Sequence, residues 1–140
     1  MRQRRQFGAV TELLLELLDE HLASIRDRHH HELGPGLLES VYQRCIVVDL
    51  ENEGLRVQSE VPVPIFYQDR KIHNDGFRLD LLVNGKIVVE LKSVSQIQDV
   101  HKKQLLTYLR LAKKPLGLLI NFNEVLLKDG ITRIVNTQSD

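Results

Sequence analysis

Two short runs, Phe-Arg-Leu-Asp-Leu-Leu-Val over 77–83 and Lys-Ile-Val-Val-Glu-Leu-Lys over 86–92, constrain this chain more than any other stretch, because only Asn84 and Gly85 separate them. Both runs alternate. Side chains on a strand project to opposite faces with a period of two, so Leu79, Leu81 and Val83 are expected on one face of the first strand. Ile87, Val89 and Leu91 are expected on one face of the second. A connection of Asn84 and Gly85 alone would pair Val83 with Lys86 and set Asp80 against Val89, charge against hydrocarbon. A connection of Asn84, Gly85 and Lys86, or an equivalent bulge, pairs Val83 with Ile87 instead. The apolar residues then lie together, and Asp80 stands opposite Glu90 with Lys92 on the same side. Directly opposed residues have Cβ atoms about 4.5–5.5 Å apart, so two carboxylates at that spacing repel unless a cation lies between them. A divalent metal is the reading that spacing favours. The plain alternative is a solvated sheet face on which Glu90 and Lys92 form an ordinary ion pair.

The remaining pattern supplies the scaffold. Val10, Leu13, Leu14, Leu17, Leu18, Leu22 and Ile25 recur at helical spacing and predict an amphipathic helix over roughly 8–28. Gly34-Pro35-Gly36 breaks the chain and opens a second helix to about Glu53, with Leu38, Val41, Cys45 and Val48 as its apolar stripe and Gly54 as its stop. A strand over 55–67 carries Pro62 and Pro64, which suit an edge or a bend. Gln68-Asp69-Arg70 turns it back, and Asn74-Asp75-Gly76 leads into the charged hairpin. A helix over roughly 98–112, an apolar strand over 116–122 and a last hairpin turning at Asp129-Gly130 complete the order. Such an order is an α/β sandwich in which one helix crosses between strands of the same sheet.

At 140 residues the chain has the length of one domain. Lys plus Arg equals Asp plus Glu at 19 each, so no overall basic field marks it for nucleic acid. Locally, 92–114 holds six basic residues against Asp99 alone, which leaves room for one basic wall. With no Trp and three Tyr, base stacking is not expected to dominate any nucleic-acid contact. Cys45 is the single cysteine, so a reduced, cytoplasmic protein is expected. No apolar run approaches the roughly 20 residues of a membrane span, and Glu12, Glu16 and Asp19 interrupt what a secretory leader would need.

Further polar residues fall at suggestive spacings. Gly36, Glu39 and Tyr42 share one helical stripe, beside the apolar one; Glu39 could join Asp80 and Glu90, or be a partly exposed acid beside a packed ring. Gln104 and Tyr108 are one turn apart on the third helix, with His101 a turn earlier.

Gly36-Leu37-Leu38-Glu39-Ser40-Val41-Tyr42 spells G-x-x-E-x-x-Y, and the chain resembles the bacterial GxxExxY family, whose members look like small relatives of the PD-(D/E)xK nuclease superfamily. The resemblance runs from about His30 through Val135 and includes D-L-L-V, V-E-L-K, Q-L-L-T-Y-L, G-L-L-I-N-F and L-K-D-G-I. Leu79 stands where the superfamily's name has proline. The resemblance implies a restriction-endonuclease-like α/β fold with an αβββαβ core, a mixed sheet flanked by helices, and an extra N-terminal helix. Residues 1–33 would be that helix packed on the core and 34–136 the nuclease-like domain, together one compact domain. It implies a nuclease that hydrolyses phosphodiester bonds with Mg²⁺ or Mn²⁺, using Asp80, Glu90, Lys92, Glu39, Gln104 and Tyr108. Asp80, Glu90, the Leu91 carbonyl and Glu39 would hold the metal, and His101, Lys102 and Lys103 would grip the nucleic acid, DNA ahead of RNA. The competing expectations are a binding module that keeps the fold without cutting, and an assembly subunit. The leucine-rich first helix also offers a homodimer surface.

Overall fold

The computed structural model describes residues 12, 14, 16, 39–123 and 130–137; of Glu39 and of 73–76 it describes the backbone only. Glu12, Leu14 and Glu16 are helical, and the rest of the expected first helix lies outside the described residues, as do Gly36 and the triple histidine. The elements are α1 (Glu39–Asn52), β1 (Val57–Tyr67), β2 (Arg70–Val83), β3 (Ile87–Lys92), α2 (Asp99–Ala112), β4 (Leu116–Asn121) and β5 (Ile131–Val135). This is the expected αβββαβ order with β5 added. The strands form one mixed sheet in the order β1-β2-β3-β4-β5, antiparallel except for the β3–β4 pair that α2 connects. Among the described residues no helix is long and apolar enough to cross a membrane.

Each face of the sheet carries its own core. Under α1 lie Tyr42, Ile46 and Leu50 with Leu81, Val83, Ile87, Val89, Leu91, Leu118 and Ile120, and Leu14 of the N-terminal helix is fully buried among them. Under α2, Leu105 and Leu109 cover Val63, Leu79, Leu82, Val88 and Leu119. The α1 stripe differs from the expected one: Tyr42, Ile46 and Leu50 face the sheet, whereas Val48 is 58% exposed. Apolar residues occur around most of this helix, so periodicity alone does not choose the buried side. The larger side chains take it, with Tyr42 stacked on Phe122 at 4.3 Å between centroids.

Leu105 also approaches β4 closely. A Cβ built on Gly117 would lie 3.0–3.1 Å from three Leu105 side-chain atoms. Gly117→Ala is therefore expected to lower stability by about 1–3 kcal/mol through overpacking, read as a shift of the urea midpoint.

The hairpin adopts the three-residue connection. Val83 pairs with Ile87, Leu82 with Val88 and Leu81 with Val89. Asn84 and Gly85 both have positive φ, at 51° and 68°, and the Lys86 N–H closes the turn on the Val83 carbonyl. β2 pairs with β3 over these positions only, while it follows β1 along nearly its whole length. Residues 61–79 therefore form a two-stranded ribbon that overshoots β3. Its turn is Gln68-Asp69, again with both φ positive, and 74–76, which were expected to lead into the charged hairpin, belong to β2 itself. β1 is an edge strand, as Pro62 and Pro64 require, with register shifts on either side of Ile65. At the other edge β4 pairs directly with β5; Gly130 immediately precedes β5, and Asp129 lies outside the described residues.

One expectation about the hairpin faces is overturned. Leu81 and Val83 pack under α1, but Leu79 packs under α2, and in β1 Val57 and Val61 divide the same way. The alternation resets in both strands at one level, where Ser59–Leu81 and Val61–Leu79 pair but Glu60 and Asp80 drop out of the ladder. Glu60 has a φ of 51°, a left-handed conformation that costs a non-glycine residue about 1–2 kcal/mol. The Gln43 side chain of α1 spans the gap, its Nε2 donating to Glu60 Oε1 at 2.9 Å and to the Asp80 carbonyl at 3.2 Å.

Candidate active site

The reset turns Asp80 out of the ordinary pleat and into the space between β2 and β3. Beyond the Leu81–Val89 pair, side chains replace the backbone ladder. The Asp80 N–H donates to Glu90 Oε1 at 3.0 Å, and the Leu91 N–H donates to Asp80 Oδ2 at 2.8 Å. The two carboxyls lie close enough to perturb each other, and the charge of Asp80 adds to the rise of Glu90. Sequence alternation placed these acids opposite each other, and the structure brings them into contact.

Burial explains their protonation. Glu90 is 5% exposed, and burial, followed by the charge of Asp80, pushes its carboxyl up to about 8. Asp80 is also raised, first by burial and then by the nearby Glu60 charge, although the Leu91 N–H, the Glu90 hydrogen bond and the Lys92 ammonium oppose the rise. Lys92 is half-buried and favours the ionised form of both acids. Neither carboxylate is easy to ionise here without a further cation.

The donors suit a hard divalent ion. They are carboxyl oxygens, brought together where β2 leaves β3, and one backbone carbonyl can join them. The Lys92 carbonyl accepts from Phe122 N–H on the β4 side at 2.9 Å, so by strand alternation the Leu91 carbonyl faces the β2 side, where the Asp80 carboxylate sits. Among the described residues no third His, Cys, Asp or Glu closes a three-ligand cluster. Glu39 is the first residue of α1, one turn before Gln43, and its side chain lies outside the described residues.

On the α2 side, Gln104 Nε2 donates to the Tyr108 hydroxyl oxygen at 2.8 Å, and the Tyr108 ring packs on Phe77 of the ribbon at 4.6 Å between centroids. Burial raises the Tyr108 hydroxyl above its usual range, and the charges of Glu90 and Asp80 add to this, so the phenol stays protonated beside the acids. Lys102 and Lys103 are exposed on the first turns of α2. His101 caps the helix, its Nδ1 accepting from the Gln98 N–H at 2.8 Å.

Sequence reasoning missed Gln43, Glu60 and Asn121. Asn121 is fully buried beside Lys92 in the β3–β4 register; its Oδ1 accepts from the Val94 N–H and its Nδ2 donates to the Val94 carbonyl. One amide thus holds the chain where it leaves the Glu90–Lys92 strand. Position 121 falls inside the G-L-L-I-N-F stretch of the resemblance, but a lone amide within an apolar run gives no sign of the loop it will hold.

A profile of the PD-(D/E)XK nuclease superfamily matches residues 18–134. Neither a curated protein nor a solved structure matches the chain.

Proposed function

The chain belongs to the PD-(D/E)XK nuclease superfamily, and from that premise we propose that it hydrolyses phosphodiester bonds in nucleic acid with the help of Mg²⁺ or Mn²⁺. The observation that carries the reading is the contact between Asp80 and Glu90 at the end of the β2–β3 ladder, with Glu90 raised to about 8. A structural ion pair has no need of two acids in contact. Oxygen donors in that arrangement favour a hard cation.

Asp80, Glu90 and the Leu91 carbonyl would hold the ion, and Glu39 would reach it through water or hold a second one. When bound, such an ion polarises the phosphate and makes a nearby water easier to deprotonate. Lys92 orients that water and offsets the negative charge that grows on the phosphate oxygens. Gln104 donates to the Tyr108 oxygen, which leaves the Tyr108 proton free to point at an anionic oxygen. Lys102 and Lys103 hold the backbone of the strand, and the Nε2 edge of His101, not used in the cap, lies beside them.

Calorimetric titration with Mn²⁺ tests the reading directly. The parent protein is expected to bind and Glu90→Ala to lose that binding, with cleavage of labelled DNA and RNA stopped by a chelator. Equal heats from both proteins, or none from the parent at millimolar metal, would remove the metal site.

A further inference from the structure

The ribbon that overshoots β3 carries an unusual tip. Phe66 and Tyr67 are 58% and 64% exposed, and Ile72 is 61% exposed. Adjacent residues on a strand face opposite sides, so the two rings present one aromatic surface on each side of the ribbon. Each ring has a cation directly across from it: Phe66 pairs with Lys71, and Tyr67 with Arg70. Nothing in the core requires these rings, because the apolar contacts of the ribbon are made nearer the sheet by Val61, Val63, Phe77 and Leu79.

We propose that this tip binds unpaired nucleotides, with Phe66 and Tyr67 stacking on exposed bases while Lys71 and Arg70 meet the flanking phosphates. Stacking on aromatic rings beside basic groups is how single strands are held without regard to sequence. The position along the chain supports the assignment. β2 runs unbroken from Arg70 to Asp80, and at about 3.3 Å per residue its ten steps span about 33 Å at most. The tip therefore lies past the same end of the sheet as the Asp80–Glu90 pair, and an extended strand can touch both. The low aromatic content matters little when two of the rings stand together at one tip. The inference rests on the nuclease reading for its substrate class and adds the preference for unpaired bases.

The test separates the tip from the carboxylates. Binding of a labelled, unstructured oligonucleotide and of the same sequence as a blunt duplex is followed by fluorescence anisotropy in chelator. The parent is expected to prefer the single strand, and Phe66→Ala/Tyr67→Ala to bind it at least about tenfold more weakly. Phe66→Tyr/Tyr67→Phe should keep affinity, and Phe66→Leu/Tyr67→Leu should not, because leucine keeps apolar area but loses the stacking face. A small chromogenic phosphodiester, too short to reach the ribbon, should be hydrolysed equally by parent and ribbon variants. Ribbon variants that bind the oligonucleotide within twofold of the parent overturn the inference and leave the nuclease reading intact. So does a change from dimer to monomer in sedimentation at unchanged nucleic-acid affinity, which would give the tip to a second copy of the chain. Failure of the parent to cleave any phosphodiester counts against the nuclease reading, whereas the tip stands or falls on the anisotropy alone.

Discussion

Asp80→Asn is expected to reduce cleavage below detection while leaving the melting temperature close to that of the parent. Asn keeps an oxygen at the position where Asp80 accepts from the Leu91 N–H, so that hydrogen bond survives while the charge is lost. Asp80→Ala is the poorer variant, because it leaves the Leu91 N–H without its acceptor, at a cost of about 1–3 kcal/mol. Lys92→Ala should lower turnover by about 100- to 1000-fold, the usual effect of removing one group that stabilises transition-state charge. The measurement is turnover of labelled DNA and RNA in Mg²⁺ and Mn²⁺, with thermal melts of each variant alongside. Parent-like cleavage by Asp80→Asn would remove the carboxylate pair from the chemistry.

Glu90→Gln is expected to change how stability depends on pH. The carboxyl titrates near 4.5 when unperturbed and near 8 in the fold. Below about pH 4.5 both states hold the proton, and the group contributes no difference. As pH rises toward about 8 the unfolded chain releases the proton and the native protein keeps it, so native stability falls by up to about 1.4 kcal/mol per pH unit. Over the roughly 3.5 pH units between the two values the total loss is on the order of 5 kcal/mol, complete once pH passes the folded value. Gln imitates the protonated acid: its oxygen can accept from the Asp80 N–H, and its amide can donate to the Asp80 carboxylate. The variant should therefore lack this slope and be the more stable protein at about pH 8. Urea unfolding in chelator across this window checks it. Mn²⁺ should restore stability to the parent at the alkaline end, because an ion binds the deprotonated pair. Identical slopes for parent and variant would show that Glu90 does not hold the proton.

What could be read beforehand follows from which interactions are periodic. The Val83–Ile87 register was legible because only that pairing keeps hydrocarbon with hydrocarbon, and it alone placed Asp80 against Glu90. Leu79 defied the same logic because the left-handed turn at Glu60 resets the pleat, and a glutamate gives no sign that it will adopt a conformation usual for glycine. The buried side of α1 was illegible because its apolar residues surround most of the helix. Gln43 and Asn121 act through single hydrogen bonds between segments distant in the chain, which no spacing rule detects. Gln104 and Tyr108 were visible as an i, i+4 pair; the Phe77 contact that seats the Tyr108 ring was not.

Leu14 carries a lesson about where this molecule can be cut. It precedes the first residue matched by the superfamily profile, yet it is buried to 0% exposure against Tyr42, Ile46 and the inner strands. Trimming to the homologous span would strip a plug from the face that backs the hairpin and open a greasy hole behind the carboxylates. The boundary drawn by ancestry and the boundary drawn by packing do not coincide here.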